Sequence, residues 1–138
     1  MPGVRFRDVL ARELDRRRGR NPRYSLRRFA VRLGVHHATL SRVLRGTKPI
    51  AERTVRALGG RIGISAAELE MLVETENAAL VLLVIGRPAF RPSSRWLATV
   101  AGISVDRVNI ALQELLRTGS LNMVARDRWT VGAGVQNE

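Results

Sequence analysis

The 138-residue chain contains no cysteine, few aromatic residues and no apolar run longer than eight residues. Without a thiol, disulfide frameworks, thiolate metal sites and cysteine nucleophiles are all excluded. The longest apolar run, AALVLLVI at 78–85, is far shorter than the roughly twenty residues that span a bilayer, and the N-terminal MPGVRFRDVL is not a signal peptide. We therefore expect a cytoplasmic protein with no membrane partner.

Catalytic and metal-binding groups are also scarce. The only histidines, His36 and His37, are adjacent, and no carboxylates cluster near them. This spacing does not suit a metal site. No glycine-rich phosphate loop precedes a helix, and no set of nucleophile, base and orienting group can be assembled. We expect a protein without enzymatic activity, cofactor or metal ion.

Acidic residues are rare in the first half of the chain. Residues 1–62 contain 17 basic and 4 acidic residues, a net charge of +13, whereas residues 63–138 contain 7 and 8, a net charge of −1. This asymmetry predicts a polyanionic partner and binding that weakens steeply with salt. The scarcity of aromatic residues argues against a single-stranded nucleic acid, whose bases stack on aromatic side chains.

Residues 24–46, YSLRRFAVRLGVHHATLSRVLRG, predict two short helices joined by a turn at Gly34. Ser25 is a suitable N-cap for the first helix and His36 for the second. Apolar residues spaced by three and four place one face of each helix in a core. These residues are Leu26, Phe29, Ala30 and Leu33 in the first helix, and Leu40, Val43 and Leu44 in the second.

The pattern S-L-x-x-F-A-x-x-L-G-V-x-x-x-x-L-S-R-x-L-x-G resembles the helix-turn-helix of Cro and phage-repressor regulators, from about Val4 to Ser65. In that family the second motif helix reads bases in the major groove. The resemblance implies that helix 36–45 makes base contacts through His37, Ala38, Thr39 and Arg42. It implies phosphate contacts by Ser25, Arg27, Arg28, Arg45, Thr47 and Lys48. Many members of that family carry Gln or Ser where this chain has His37 and Ala38, so the preferred bases do not follow from the resemblance.

Residues 65–86 predict a helix that connects the two halves of the chain. It begins with the capping box S-A-A-E at 65–68 and ends at Gly86, before Pro88. Its second half is apolar on all sides, which does not suit the surface helix of a monomer. We expect four side chains to pack between the two modules or against a second chain: Leu80, Leu82, Leu83 and Ile85.

Residues 87–132 repeat the order of helix, glycine turn at Gly102 and second helix, followed by a hairpin of LNMVA and RWTVG. This module resembles the winged-helix fold, with Trp96 and Trp129 in its core and a flexible tail at 133–138. The outward residues of its second helix suit base reading poorly, and we expect a packing or dimerisation role. They are Val105, Asp106, Arg107, Asn109, Ile110 and Gln113. In the alternative, a second set of DNA contacts comes from Arg107, Arg126 and Arg128.

The sequence thus predicts a mainly α protein. A repressor-type helix-turn-helix domain of four or five helices at 1–64 precedes the connecting helix and a winged helix-turn-helix with a small β-hairpin. Both halves together resemble a family of uncharacterised bacterial regulators. The predicted function is a sequence-specific transcription regulator, a repressor that binds double-stranded DNA on the nucleoid as a homodimer. Two alternatives stay open: the C-terminal module binds a protein partner, as in an antitoxin or adaptor, or the basic half binds nucleic acid without sequence specificity.

Overall fold

The computed structural model describes residues 3–46 and 48–132, which are mainly helical with a small antiparallel hairpin. This confirms the predicted class at the level of secondary structure. The predicted tail at 133–138 lies outside the described residues. The elements are α1 (Phe6–Arg20), α2 (Leu26–Leu33), α3 (His37–Arg45), α4 (Glu52–Arg61), α5 (Ala66–Ile85), α6 (Ser94–Ala101), α7 (Val105–Arg117), β1 (Leu121–Ala125) and β2 (Arg128–Val131).

The chain forms two units, and the division between them falls inside α5, between Glu76 and Asn77. We call residues 3–76 the N-terminal unit and the residues from 77 onward the C-terminal unit. The sequence-based division set residues 65–86 apart as a connecting helix. In the structure the two halves of α5 belong to different cores, because the first half buries Leu72 and Val73 and the second half buries Val81 and Val84.

The N-terminal unit is built around the apolar faces of α1 to α4. Phe6 and Leu10 of α1, Phe29 of α2 and Leu40 of α3 are fully buried in one cluster. Each such side chain stabilises the folded state by about 1.5–3 kcal/mol relative to its exposed state. The helical spacing of these residues therefore accounts both for the helices and for how they pack.

The turn between α2 and α3 follows the predicted chemistry. The Ser25 hydroxyl accepts a hydrogen bond from the backbone N–H of Arg28 at 3.1 Å, which caps α2. Gly34 ends the helix in the left-handed region with φ 73°, where a side chain would be strained. The N–H of Val35 then donates to the carbonyl of Ala30 at 3.0 Å, and Val35 packs against the core.

The C-terminal unit combines the second half of α5 with α6, α7 and the hairpin. Leu97 of α6, Val108 of α7 and Leu121 of β1 are fully buried in its core. Strands β1 and β2 pair antiparallel, with Leu121 opposite Val131. Trp96 and Trp129, predicted to be core residues, are half-buried and pack against this cluster.

The apolar residues predicted to pack between modules or chains lie in the second half of α5. Ile85 is buried in the core of the C-terminal unit, and Leu80 and Leu82 pack against that core. Leu83 is 54% exposed. The all-round apolar character of this segment is therefore largely explained by burial within one unit. None of the described helices has both the length and the apolar character needed to cross a membrane.

Candidate nucleic-acid interface

Helix α3 presents the residues predicted to read bases. His36 caps its first turn, because its Nδ1 accepts a hydrogen bond from the backbone N–H of Ala38 at 3.2 Å. Leu40 is fully buried beneath the helix and fixes its rotation. The four predicted residues lie together on the accessible part of this helix: Ala38 and Arg42 are exposed, and His37 and Thr39 are half-buried.

His37 stands at the junction between α2 and α3. Its ring stacks on that of His36, with the centroids 4.6 Å apart. The positive charge of Arg27, with smaller effects of burial and of His36, lowers the pKa of His37 below its ordinary value of 6.5. The neutral imidazole is therefore favoured, and it carries one hydrogen-bond donor and one acceptor.

Ion pairs are distributed unevenly over the N-terminal unit. Ion pairs form on α1, on α4 and at Arg5: they are Arg5–Glu76, Arg7–Asp8, Arg16–Glu13, Arg17–Glu13, Arg56–Glu52 and Arg56–Glu70. Among the described residues, no carboxylate pairs with an arginine of α2 or α3. These two helices carry five arginines and no acidic residue: Arg27, Arg28, Arg32, Arg42 and Arg45.

Three of these arginines line an open groove on α2 with a volume of about 450 Å³. We call it the arginine groove; its residues are Arg17, Tyr24, Arg27, Arg28, Val31 and Arg32. Tyr24 organises it, because the guanidinium groups of Arg17 and Arg28 each lie 5.7 Å from the centre of its ring. Nη1 of Arg17 also donates to the Tyr24 hydroxyl at 3.1 Å. Cations held on an aromatic face need little further ordering to bind an anion.

The remaining residues predicted to bind phosphate are spread around α2 and α3. Ser25 is half-buried and serves as the cap of α2. Arg45 is exposed at the end of α3, and Lys48 is exposed in the loop that follows. Thr47 lies outside the described residues. Arg27 and Arg28, by contrast, are gathered in the arginine groove.

The second predicted set of DNA contacts lies in the C-terminal unit and is not gathered into one anion-binding cluster. Arg107 is half-buried in the first turn of α7, whereas Arg126 and Arg128 are exposed at the hairpin. The outward side of α7 also carries exposed apolar side chains, with Val105 40% and Ile110 41% exposed. This surface is partly apolar and includes Asp106, whereas α3 contains no acidic residue.

Sequence reasoning missed the grouping in the arginine groove and the role of Glu76. Arg17, Tyr24 and Arg32 were not among the predicted site residues, although Tyr24 directly precedes the cap of α2. Glu76 is 1% exposed in the middle of α5. The available signal was a charged residue next to the apolar stretch of a helix, where a carboxylate is costly unless it is paired.

Comparison with known proteins gives no relative. The chain matches no protein-family model, no curated protein and no solved structure. Across residues 3–46 and 48–132, no group of three or more His, Asp or Glu side chains is placed to hold a metal ion.

Proposed function

We propose that this protein is a sequence-specific transcription regulator that binds double-stranded DNA through a helix-turn-helix formed by α2 and α3. The observation that carries the proposal is the uneven distribution of ion pairs. Among the described residues, every ion pair of the N-terminal unit lies outside α2 and α3, and these two helices carry five arginines and no acidic residue. Such a concentration of like charge favours a polyanionic ligand at these two helices.

Helix α3 is proposed to enter the major groove with its capped N-terminal end. Arg42 is exposed and has a planar fork of donors that matches the O6 and N7 acceptors of guanine. The methyl group of Ala38 suits contact with a thymine methyl group. The neutral form of His37 offers a donor and an acceptor to base edges.

The arginine groove is proposed to hold the DNA backbone beside the major groove. The groove and the proposed reading helix are neighbours, because α2 and α3 pack in one core through Phe29, Leu33 and Leu40. Phosphate contacts of this kind fix the register of a protein on the duplex and dominate the salt dependence of binding. They carry no sequence preference of their own.

A homodimer is the proposed binding form. One small module buries too little surface for high specificity, and two copies reach half-sites about 34 Å apart on a palindrome. Exposed apolar residues suit the C-terminal unit to contacts with a second chain: Val105, Ile110, Met123 and Val124. We propose repression as the mode of action and the cytoplasmic nucleoid as the location.

The same exposed apolar residues support a second candidate, a protein-interaction module in which the C-terminal unit binds a different protein. In this case the basic N-terminal unit serves only as an anchor. The two candidates differ in what the isolated chain does. A regulator forms a defined dimer and selects a duplex, whereas an anchor binds duplexes of every sequence alike.

The test is selection of binding sites from a random duplex library at about 150 mM salt, where non-specific phosphate contacts are weak. We expect an enriched palindrome. An enriched asymmetric site would instead bring the C-terminal unit into contact with DNA, and no enrichment would refute sequence-specific binding. Arg32→Gln is the companion variant, and it should select the same sequence as the wild type. The negative slope of log K against log salt should become shallower by about 0.9 for each phosphate that the variant no longer neutralises.

A further inference from the structure

Glu76, the last residue of the N-terminal unit, carries a buried carboxylate that joins three segments of the chain. One oxygen accepts hydrogen bonds from Nε of Arg5 at 2.7 Å and from the backbone N–H of Phe6 at 3.1 Å. The other accepts from Nη2 of Arg5 at 3.2 Å and from the backbone N–H of Ile50 at 2.7 Å. The carboxylate thus ties α5 to the start of α1 and to the loop between α3 and α4.

Stability alone is a weak explanation for a carboxylate in this position. Glu76 is only 1% exposed, and removing an ion from water costs several kcal/mol before its partners compensate. A well-packed apolar side chain often stabilises a core as well as a buried ion pair does. The four hydrogen bonds do what an apolar side chain cannot, because they fix a backbone N–H in the loop.

Two described residues between α3 and α4, Gly46 and Ile50, are held by side chains of other elements. Nη1 of Arg7 donates to the carbonyl of Gly46 at 2.7 Å, directly after α3. Glu76 holds Ile50 at the other end. Between these anchors Lys48 is exposed to solvent. Two side chains from outside the loop therefore hold described residues on either side of Lys48.

We infer that Glu76 and Arg7 are positioning residues that hold the α3–α4 loop in the conformation in which Lys48 binds a DNA phosphate. This inference rests on the proposed function. A loop ordered before binding loses less conformational entropy in the complex. The paired guanidinium of Arg5 offsets the negative charge of Glu76, so the carboxylate does not repel the phosphate that approaches the loop.

The matched pair of variants is Glu76→Gln and Glu74→Gln in the full chain. Both remove one negative charge from α5. If net charge alone mattered, the two variants would therefore bind DNA more tightly than the wild type by the same factor. Glu74 is half-buried and makes no hydrogen bond to the described loop residues. Glu76→Gln loses the charge and turns one oxygen into an NH₂ group, so the side chain can accept from Ile50 or from Phe6 but not from both.

We expect Glu76→Gln to weaken binding to the selected duplex by about threefold to tenfold, as the loop becomes disordered in the free protein. Glu74→Gln should bind as the wild type does or slightly more tightly. Amide exchange at Ile50, measured without DNA, should accelerate in Glu76→Gln only. Because α3 is unchanged, both variants should select the same sequence as the wild type.

A second comparison separates the positioning role from a general loss of stability, because a general loss would not change how much Lys48 contributes to DNA binding. Lys48→Ala should weaken binding in the wild type and have little further effect in Glu76→Gln, at a temperature where both are folded. If Glu76→Gln does not fold, Arg7→Gln tests the other anchor. Its control is Arg12→Gln, which removes one positive charge from an exposed position of α1. Arg7→Gln should abolish the effect of Lys48→Ala, and Arg12→Gln should preserve it.

Equal affinity and equal salt dependence in Glu76→Gln and Glu74→Gln would overturn the inference, as would an undiminished effect of Lys48→Ala in the anchor variants. Either result leaves the proposed function intact if the wild type still selects a sequence. If the wild type selects none, the proposed function fails first. A positioning role for DNA binding then fails with it, whatever the exchange rate of Ile50.

Discussion

The two units contain the same backbone motif with different chemistry on its outer surface. In each unit a serine caps the first helix, a left-handed glycine follows nine residues later with φ 73° at Gly34 and 75° at Gly102, and a polar cap starts the second helix. In each, the residue after the glycine donates to the carbonyl of a buried alanine, Ala30 or Ala98. The backbone conformation and the buried residues thus determine the turn, whereas binding properties depend on the outward side chains.

The outward positions show the difference directly. Counting from the caps His36 and Ser104, Arg42 of α3 corresponds to Ile110 of α7, and His37 corresponds to Val105. A charged donor surface in the N-terminal unit is replaced by a partly apolar one in the C-terminal unit. A shared turn is therefore no argument for shared function.

The largest expected effect is the loss of stability when the two turn glycines, Gly34 and Gly102, are each replaced by alanine. A Cβ at Gly34 would collide with Nη1 of Arg61, which donates to the carbonyl of Leu33, whereas a Cβ at Gly102 meets nothing within 4 Å. Gly102→Ala should lower the free energy of unfolding by about 1 kcal/mol, the cost of the left-handed backbone. Gly34→Ala should cost about 2–3 kcal/mol, because the Arg61 hydrogen bond is also displaced.

Urea unfolding combined with amide exchange at Val35 and Ile103 assigns each destabilisation to its unit. Gly19→Ala is the control, since this helical glycine has no neighbour within 4 Å of its would-be Cβ, and the change should stabilise α1 slightly. Equal destabilisation by the two turn variants would show that Arg61 contributes nothing to the α2–α3 turn.

The next effect concerns DNA affinity at corresponding positions. Arg42→Ala should weaken binding to the selected duplex by about 1–3 kcal/mol and relax the preference for one base pair. Ile110→Ala should change the affinity by less than about twofold, because no base contact is proposed for α7. Affinities are compared at concentrations where sedimentation shows the same oligomer for both variants. A relaxed base preference in Ile110→Ala would place α7 in a groove and contradict the contrast drawn between the units.

The smallest effect concerns the titration of His37. Removing the charge in Arg27→Gln should raise the pKa of His37 toward its ordinary value, because Arg27 is the main cause of the shift. Arg95→Gln, at the corresponding position of α6, should leave it unchanged. Both are measured by following the imidazole resonances against pH. Since the folded-state pKa is lowered, protonation favours the unfolded chain, and this small contribution to stability disappears as pH falls below the ordinary value of 6.5.

Local signals made much of this architecture predictable. The serine caps, the glycine turns and the hairpin each depend on residues within about ten positions, and the structure has them where the sequence placed them. Such signals could not predict the hydrogen bonds of Glu76 or the grouping of residues in the arginine groove. Arg5 and Glu76 are 71 positions apart, and the groove forms only when α1 brings Arg17 beside Tyr24. Patterns of neighbouring residues carry no information on pairings that arise only when distant helices pack.

The position of the division inside α5 has a practical consequence for anyone who exchanges modules of this protein. A fragment cut at residue 64 would lack Leu72 and Val73 from the N-terminal core and would remove the carboxylate that pairs with Arg5. A chimera that keeps the proposed reading helix must therefore retain the chain through Glu76 and join the new partner within a continuous helix. The graft has to preserve helical phase, so the length of the insert matters as much as its composition.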